Sequence, residues 1–157
     1  MNTIIREYRE KDKAELLECI AELQDFEREI TARKKPGEEV AEEYLELILS
    51  YHNERSGNLF ISEFDGKVVG FASVWINEDS ELTEYSEKYV YFSDLFVKED
   101  YRRKGLAKKL VEKVIEFASS KEVKRIKVET LAKNVPIQKL LETYGFEKHE
   151  IAWDLNL

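Results

Sequence analysis

Apolar positions change their spacing repeatedly along the chain, and each change predicts an element. Ile4 to Tyr8 reads as a short first strand. Asp12-x-x-Glu15 has the form of a capping box, opening a helix that carries Leu16, Ile20, Leu23 and Ile30 on one side. Thr31 to Gly37, with Pro36-Gly37 at its end, breaks that pattern. A second helix then sets Val40, Tyr44, Leu47, Ile48 and Tyr51 at helical spacing. After Ser56-Gly57, the runs Leu59 to Phe64 and Lys67 to Ile76 flank Asp65-Gly66, and this dipeptide suits the positive φ angles of a tight hairpin. Asn77 to Glu87 reads as a polar loop. Tyr89 to Val97 is predicted as the fourth strand, Leu106 to Ala118 as the third helix and Arg125 to Leu131 as the fifth strand. Pro136 opens a fourth helix and Lys148 to Leu155 reads as a closing strand.

Strand, helix and strand in succession from residue 89 to 131 form a crossover unit, which makes strands four and five parallel neighbours. The expected class is α/β, arranged as one domain over residues 1–157, without repeats, low-complexity tracts or a linker. A net charge of −8 opposes nucleic-acid binding, which draws on excess Lys and Arg, and suits a cationic partner. No run approaches the roughly 20 apolar residues that span a bilayer, and the charged N-terminus lacks the apolar core of a signal peptide, so a cytoplasmic protein without membrane contact is expected. Cys19 is the single cysteine. An internal disulfide and a cysteine-based zinc site are thereby excluded, and its place beside the apolar side of the first helix reads as structural core.

Arg102-Arg103-Lys104-Gly105-Leu106-Ala107 lies where the fourth strand gives way to the third helix. The first turn of a helix offers unpaired N–H groups and a partial positive charge. Gly105 lets the backbone approach an anion, and Arg102, Arg103 and Lys104 add charge-assisted donors. A solvated basic turn is the alternative, but Gly and Ala at these offsets between strand and helix favour a phosphate site.

Arg102-x-x-Gly105-x-Ala107 resembles the Gln/Arg-x-x-Gly-x-Gly/Ala signature of the GNAT family of N-acetyltransferases, which bind the pyrophosphate of acetyl-CoA. Asp94-Leu95-Phe96-Val97 and Glu99-Asp100-Tyr101 resemble that family's fourth strand and turn. Lys133-Asn134 and Tyr144-Gly145-Phe146 are similar to the Asn after its fifth strand and the Gly-Phe after its next helix. The resemblance implies a mixed, mostly antiparallel sheet with about four helices, its parallel strands four and five splaying at a bulge. It implies CoA on the backbone of Leu95, Phe96 and Val97, on the turn and helix start at Arg102, Arg103, Lys104, Gly105, Leu106, Ala107 and Lys108, and at Asn134, with no metal.

The implied chemistry is direct transfer of an acetyl group from acetyl-CoA to a primary amine of a small molecule, polyamine or lysine-like. An alkyl amine has a pKa near 10.4 and arrives protonated, so a base must take its proton. Asp94, beside Leu95, is the first candidate. An acid that merely pairs with a neighbouring strand is the other reading, and Glu63 and Glu129 are further strand acids. His52 and His149 read as surface residues. The usual Tyr proton donor falls at Leu141, which leaves Tyr144, about one turn along, as its candidate replacement or as core. Asp25, Glu27, Glu29, Glu78, Asp79, Glu81 and Glu84, with Tyr85, occupy the loops expected to face the acceptor. Two other readings stand beside this one: an acetyltransferase acting on protein N-termini or lysine side chains, and a CoA-binding module without turnover. The resemblance also implies a homodimer paired through sheet edges.

Overall fold

A computed structural model describes residues 2–157. β1 (Thr3–Glu7) leads through a 3-10 turn (Glu10–Asp12) into α1 (Lys13–Ile30) and α2 (Gly37–Glu54). β2 (Asn58–Phe64), β3 (Lys67–Asp79) and β4 (Glu87–Val97) follow as a meander. A second 3-10 turn (Glu99–Tyr101), α3 (Leu106–Ser120), β5 (Ile126–Val128) and α4 (Val135–Thr143) complete the order. The five strands form one sheet in the order β1-β2-β3-β4-β5, antiparallel except for the parallel pair β4-β5. This is the mixed, mostly antiparallel sheet with parallel fourth and fifth strands that the resemblance implies.

Strand alternation sends side chains to two cores. Phe60, Val69, Ala72, Val74, Val90 and Phe92 meet Leu106, Leu110, Val111, Val114 and Phe117 of α3 on one face. Leu59, Ile61, Phe71, Trp75 and Phe96 meet Leu16, Cys19 and Ile20 of α1 and Leu45 and Ile48 of α2 on the other. The Asp-Gly turn forms as expected, with φ 47° at Asp65 and 83° at Gly66, the positive pair that a tight two-residue hairpin requires.

Four local expectations are corrected. The Asp12-x-x-Glu15 capping box does not form. Asp12 instead receives the Arg6 guanidinium at 2.7 and 2.8 Å and the Arg9 N–H at 2.8 Å, while Glu15 accepts the Val68 N–H. The polar loop shrinks to residues 80–86, because Asn77, Glu78 and Asp79 continue the ladder opposite Tyr89, Lys88 and Glu87, tied by Arg125 on Asp79 at 3.0 Å. β5 ends at Val128, where its pairing with β4 ends. Lys148 to Leu155 forms no strand: residues 147–157 run without regular structure and exposed, paired with no neighbour in the sheet.

Candidate functional site

The turn after β4 is shaped by two residues with positive φ, Arg103 at 61° and Gly105 at 78°. Gly105 is the N-cap of α3, and no side chain caps this helix start. The first-turn N–H groups therefore face outward, where an anion would complete them. A pocket of about 200 Å3 opens there, lined by Val97, Tyr101, Arg102, Arg103, Gly105, Leu106, Ala107, Lys108 and Leu140. A Cβ built on Gly105 would meet nothing within 4 Å. The space beside this glycine is left open by the fold and is not needed for packing. Arg102 is partly committed elsewhere: its Nε–H donates to the Val97 carbonyl at 2.9 Å, with the guanidinium near the rings of Phe26 and Phe96. Arg103 is exposed at the rim, while Lys104, also exposed, is not among the lining residues and holds its ammonium 5.8 Å from the centre of the Phe64 ring.

A bulge and a splay lie immediately upstream. Val74 pairs with Phe92 and Ser73 with Asp94, so Ser93 is an extra residue in β4. β5 accompanies β4 only from Val90 to Phe92, and beyond that no strand among the described residues lies beside the β4 edge. The Lys98 N–H donates to the Val69 carbonyl at 2.8 Å. Two-residue alternation then turns the backbone groups of Phe96 and Asp94 into the β3 ladder and those of Leu95 and Val97 toward the gap. Of the three residues expected to offer backbone to CoA, Leu95 presents its groups and Val97 its N–H, the Val97 carbonyl being held by Arg102, and Phe96 is engaged with β3. About three residues at 3.3 Å each, roughly 10 Å, carry this open edge from Val97 back to Asp94.

Asp94 is half-buried under α2. The Tyr44 hydroxyl lies 2.9 and 2.8 Å from its two oxygens, and the Ser93 hydroxyl is 2.7 Å from Oδ2. Burial raises the Asp94 pKa above the usual carboxylate range, against the hydrogen bonds from Ser93 and Tyr44 that lower it. Burial, then the carboxylate of Asp94, raises the pKa of Tyr44, which keeps this phenol a donor. Tyr91, also facing α1 and α2, is pushed up to about 12 by burial and then by Glu129 and Asp94.

Other candidates sit apart from this cluster. Glu63 is bound by Arg6 at 2.8 Å. Cys19 is buried, and desolvation pushes its thiol up to about 12, so it is core and not a nucleophile. Leu141 is buried in α4. The Tyr144 hydroxyl donates to Glu112 of α3 at 2.9 Å, and burial followed by that bond raises its pKa. Asn134 is the N-cap of α4, with no side-chain bond to the helix. Asp25 accepts the Gly37 N–H at 2.7 Å and so caps α2, while Glu27 is paired with Lys34 at 2.8 Å. Seven residues of extended strand, roughly 23 Å, separate Glu87 from Asp94, so the acidic β3–β4 loop stands away from it.

His52, expected at the surface, is half-buried, with Nε2 2.9 Å from the Ser73 hydroxyl, and burial pushes its pKa down to about 4. The stability this neutral ring carries is fully present above about pH 6.5, the ordinary His value. It is lost as the pH falls toward about 4, since only the unfolded ring is protonated across that window. Wild type is expected to lose about 1–2 kcal/mol more than His52→Gln between pH 7 and pH 4.5, read by calorimetric unfolding. Parallel stability curves would contradict it.

Three further residues belong to this region without having been singled out for it from the sequence. Tyr44 had the helical spacing of a core residue, Ser93 carries no signal of a bulge, and Tyr91 reads as strand. Tyr44 and Asp94 are 50 positions apart, and only packing of α2 across the sheet brings them together.

Comparison with known proteins places these features in context. A family model described as "Acetyltransferase (GNAT) family" matches residues 17–146. N-acetyltransferase 8 of Homo sapiens is 30% identical over 103 residues, covering 66% of this chain and 44% of that protein. Aminoglycoside N(6')-acetyltransferase type 1 of Salmonella typhimurium is 31% identical over 91 residues, covering 58% of this chain and 63% of that enzyme. The match thus spans less than two thirds of either relative. Among solved structures, aminoglycoside N-acetyltransferase AAC(6')-Iy in complex with CoA superposes with a TM-score of 0.74 at 22% identity, covering 99% of this chain and 95% of that one, a likeness of fold.

Proposed function

The chain belongs to the acetyltransferase (GNAT) family, and on that premise we propose that it moves an acetyl group from acetyl-CoA to a primary amine of a small molecule, with Asp94 as the base. The observation that carries this reading is a juxtaposition. An uncapped helix start that fits a phosphate is joined by roughly 10 Å of open strand edge to a carboxylate whose pKa is raised.

The residues present fit the co-substrate. The N–H groups opening α3 at Leu106, Ala107 and Lys108, with the space beside Gly105 and the Arg103 guanidinium, would hold the pyrophosphate. The outward backbone of Leu95 and the Val97 N–H would hold the pantetheine arm, and Asn134, the N-cap of α4, would add a side-chain contact. When bound, acetyl-CoA would supply an activated acetyl thioester, whose carbon–sulfur bond breaks as the amine nitrogen bonds to the carbonyl carbon, CoA leaving as a thiolate that needs no acid because a thiol pKa is only about 8.5. This chain's own part is to manage a proton and a charge. Asp94 takes the proton of the arriving ammonium, and its raised pKa makes it a stronger base than an exposed carboxylate. Tyr44 and Ser93 fix its orientation. The Leu95 N–H, turned to the open side of β4, would donate to negative charge on the thioester carbonyl oxygen.

The acceptor's positive charge is matched by Asp94 itself. The α1–α2 loop contributes little net charge, because Lys34 offsets Glu27 and Arg28 lies 3.9 Å from Asp25. Similarity to an aminoglycoside-acetylating enzyme supports a small-molecule amine as the substrate class. Tyr144 is left out of the mechanism because Glu112 holds its hydroxyl on α3. Tyr144→Phe is accordingly expected to change kcat by less than about twofold, measured by steady-state kinetics, whereas a general acid would lose on the order of 10²-fold or more.

Competition among acceptors tests the proposal. Incubated with acetyl-CoA and a mixture of polyamines, lysine-like amines, an aminoglycoside, hydroxyl compounds and peptides with free N-termini, the protein should acetylate primary alkyl amines fastest by mass spectrometry. Modification of peptides alone would move it to the protein-modifying reading, and modification of hydroxyl compounds alone would overturn the amine assignment.

A further inference from the structure

Arg102 has the charge of a phosphate ligand, yet its contacts lie within the protein. Its Nε–H donates to the Val97 carbonyl at 2.9 Å, and its guanidinium carbon lies 5.6 Å from the centre of the Phe26 ring and 5.9 Å from that of Phe96. The side chain thus folds back toward β4 and α1. In doing so it closes the second 3-10 turn, Glu99–Tyr101, from its far end.

α1 fastens this turn at two points. Glu18, Glu22 and Phe26 recur every four residues and so lie along one side of the helix. The first two receive the Lys98 ammonium at 3.0 and 3.3 Å, and the third faces the Arg102 guanidinium. Lys98 and Arg102 bracket the turn. Both ends of the link between β4 and the α3 start are therefore held by the same helix.

We infer that Arg102 is a positioning residue for the co-substrate, acting through the Val97 carbonyl and not as a ligand of the pyrophosphate. The inference rests on the reading of this site as one for CoA. A carbonyl left without a donor at the end of the open β4 edge would take one from water or from the pantetheine arm. Held by Arg102, it leaves Leu95 and the Val97 N–H as the groups that the arm meets. What the site draws from Arg102 is then a single N–H, on the nitrogen that follows Cδ. The charge is spent on the faces of Phe26 and Phe96.

Glutamine separates the two roles, because its amide nitrogen also follows Cδ and it carries no charge. Arg102→Gln should bind CoA within about threefold of wild type. Arg102→Met keeps an unbranched stem against Phe26 and Phe96 but has no donor, and leaving the carbonyl unpaired should weaken CoA binding about tenfold or more. ADP carries the pyrophosphate without the arm. It should bind all three proteins within about twofold of one another, because the α3 start is held by Leu106 and Leu110 in the core. Calorimetric titration reads these affinities and needs no turnover, and thermal unfolding checks that each variant is folded. Equal losses of CoA affinity in the two variants, or a loss for ADP that matches the loss for CoA, would make Arg102 a phosphate ligand and overturn the inference. Arg102→Met binding CoA as wild type does would overturn it as well. A folded wild type that binds no CoA would instead remove the cofactor reading, and this inference with it.

Discussion

Asp94→Asn is expected to lower kcat/KM on a primary alkyl amine by about 10²–10⁴-fold at pH 7, the usual contribution of a positioned base. An amide keeps an oxygen that accepts from Tyr44 and Ser93, so the helix and bulge around it stay in place and the loss is chemical. The pH dependence identifies its cause. A base works when ionised, so wild-type activity falls as pH drops through the Asp94 pKa, which burial holds above the ordinary carboxylate range. The variant lacks that limb, and its rate tracks the free amine, rising toward the amine pKa near 10.4. The gap between the two proteins should therefore be widest below neutrality and narrow as pH rises. Tyr44→Phe adds a directional check. It removes a bond that stabilises the carboxylate, so the acid limb should move to higher pH. Parallel profiles with equal rates for wild type and Asp94→Asn would show that another group takes the proton.

Gly105→Glu should weaken acetyl-CoA binding by at least about 100-fold, equivalent to about 2.7 kcal/mol. Two effects combine. Gly105 has φ 78°, where a side chain costs roughly 1–2 kcal/mol, and the new carboxylate occupies the space beside the α3 N–H groups, repelling the pyrophosphate. Since a Cβ there meets no atom within 4 Å, nothing in the core is displaced and the variant should fold. Gly105→Ala separates the effects: it carries the backbone strain without the anion and should retain most of the affinity. Calorimetric titration of the three proteins decides this, and an unchanged affinity in Gly105→Glu would remove the α3 start from the binding site.

What was legible in the sequence was mostly local. The Asp-Gly hairpin, the helical spacing of α1 to α3 and the strand-to-helix turn at Gly105 each follow from neighbouring residues, and each formed. What escaped depends on contacts distant in sequence. Asp12 has the residue type of an N-cap, yet Arg6 on β1 competes for its carboxylate and wins with two short bonds. His52 stands in a polar stretch, but α2 turns it against Ser73 of β3. Tyr44 is spaced like a core residue and lies with the α1/α2 core, while its hydroxyl reaches Asp94 across 50 positions. The bulge at Ser93 has no composition of its own and exists as a mismatch between two strands. The closing strand was predicted from a real alternation, and in the structure that segment pairs with no described strand although the outer side of β5 is open.

The most direct test of acetyl transfer is release of free CoA thiol from acetyl-CoA, followed with and without a primary alkyl amine. The account predicts slow release alone and fast, saturable release with the amine, one acetylated amine appearing for each thiol. Tight binding of acetyl-CoA with no amine-dependent release on any acceptor would contradict it and leave a CoA-binding protein without turnover.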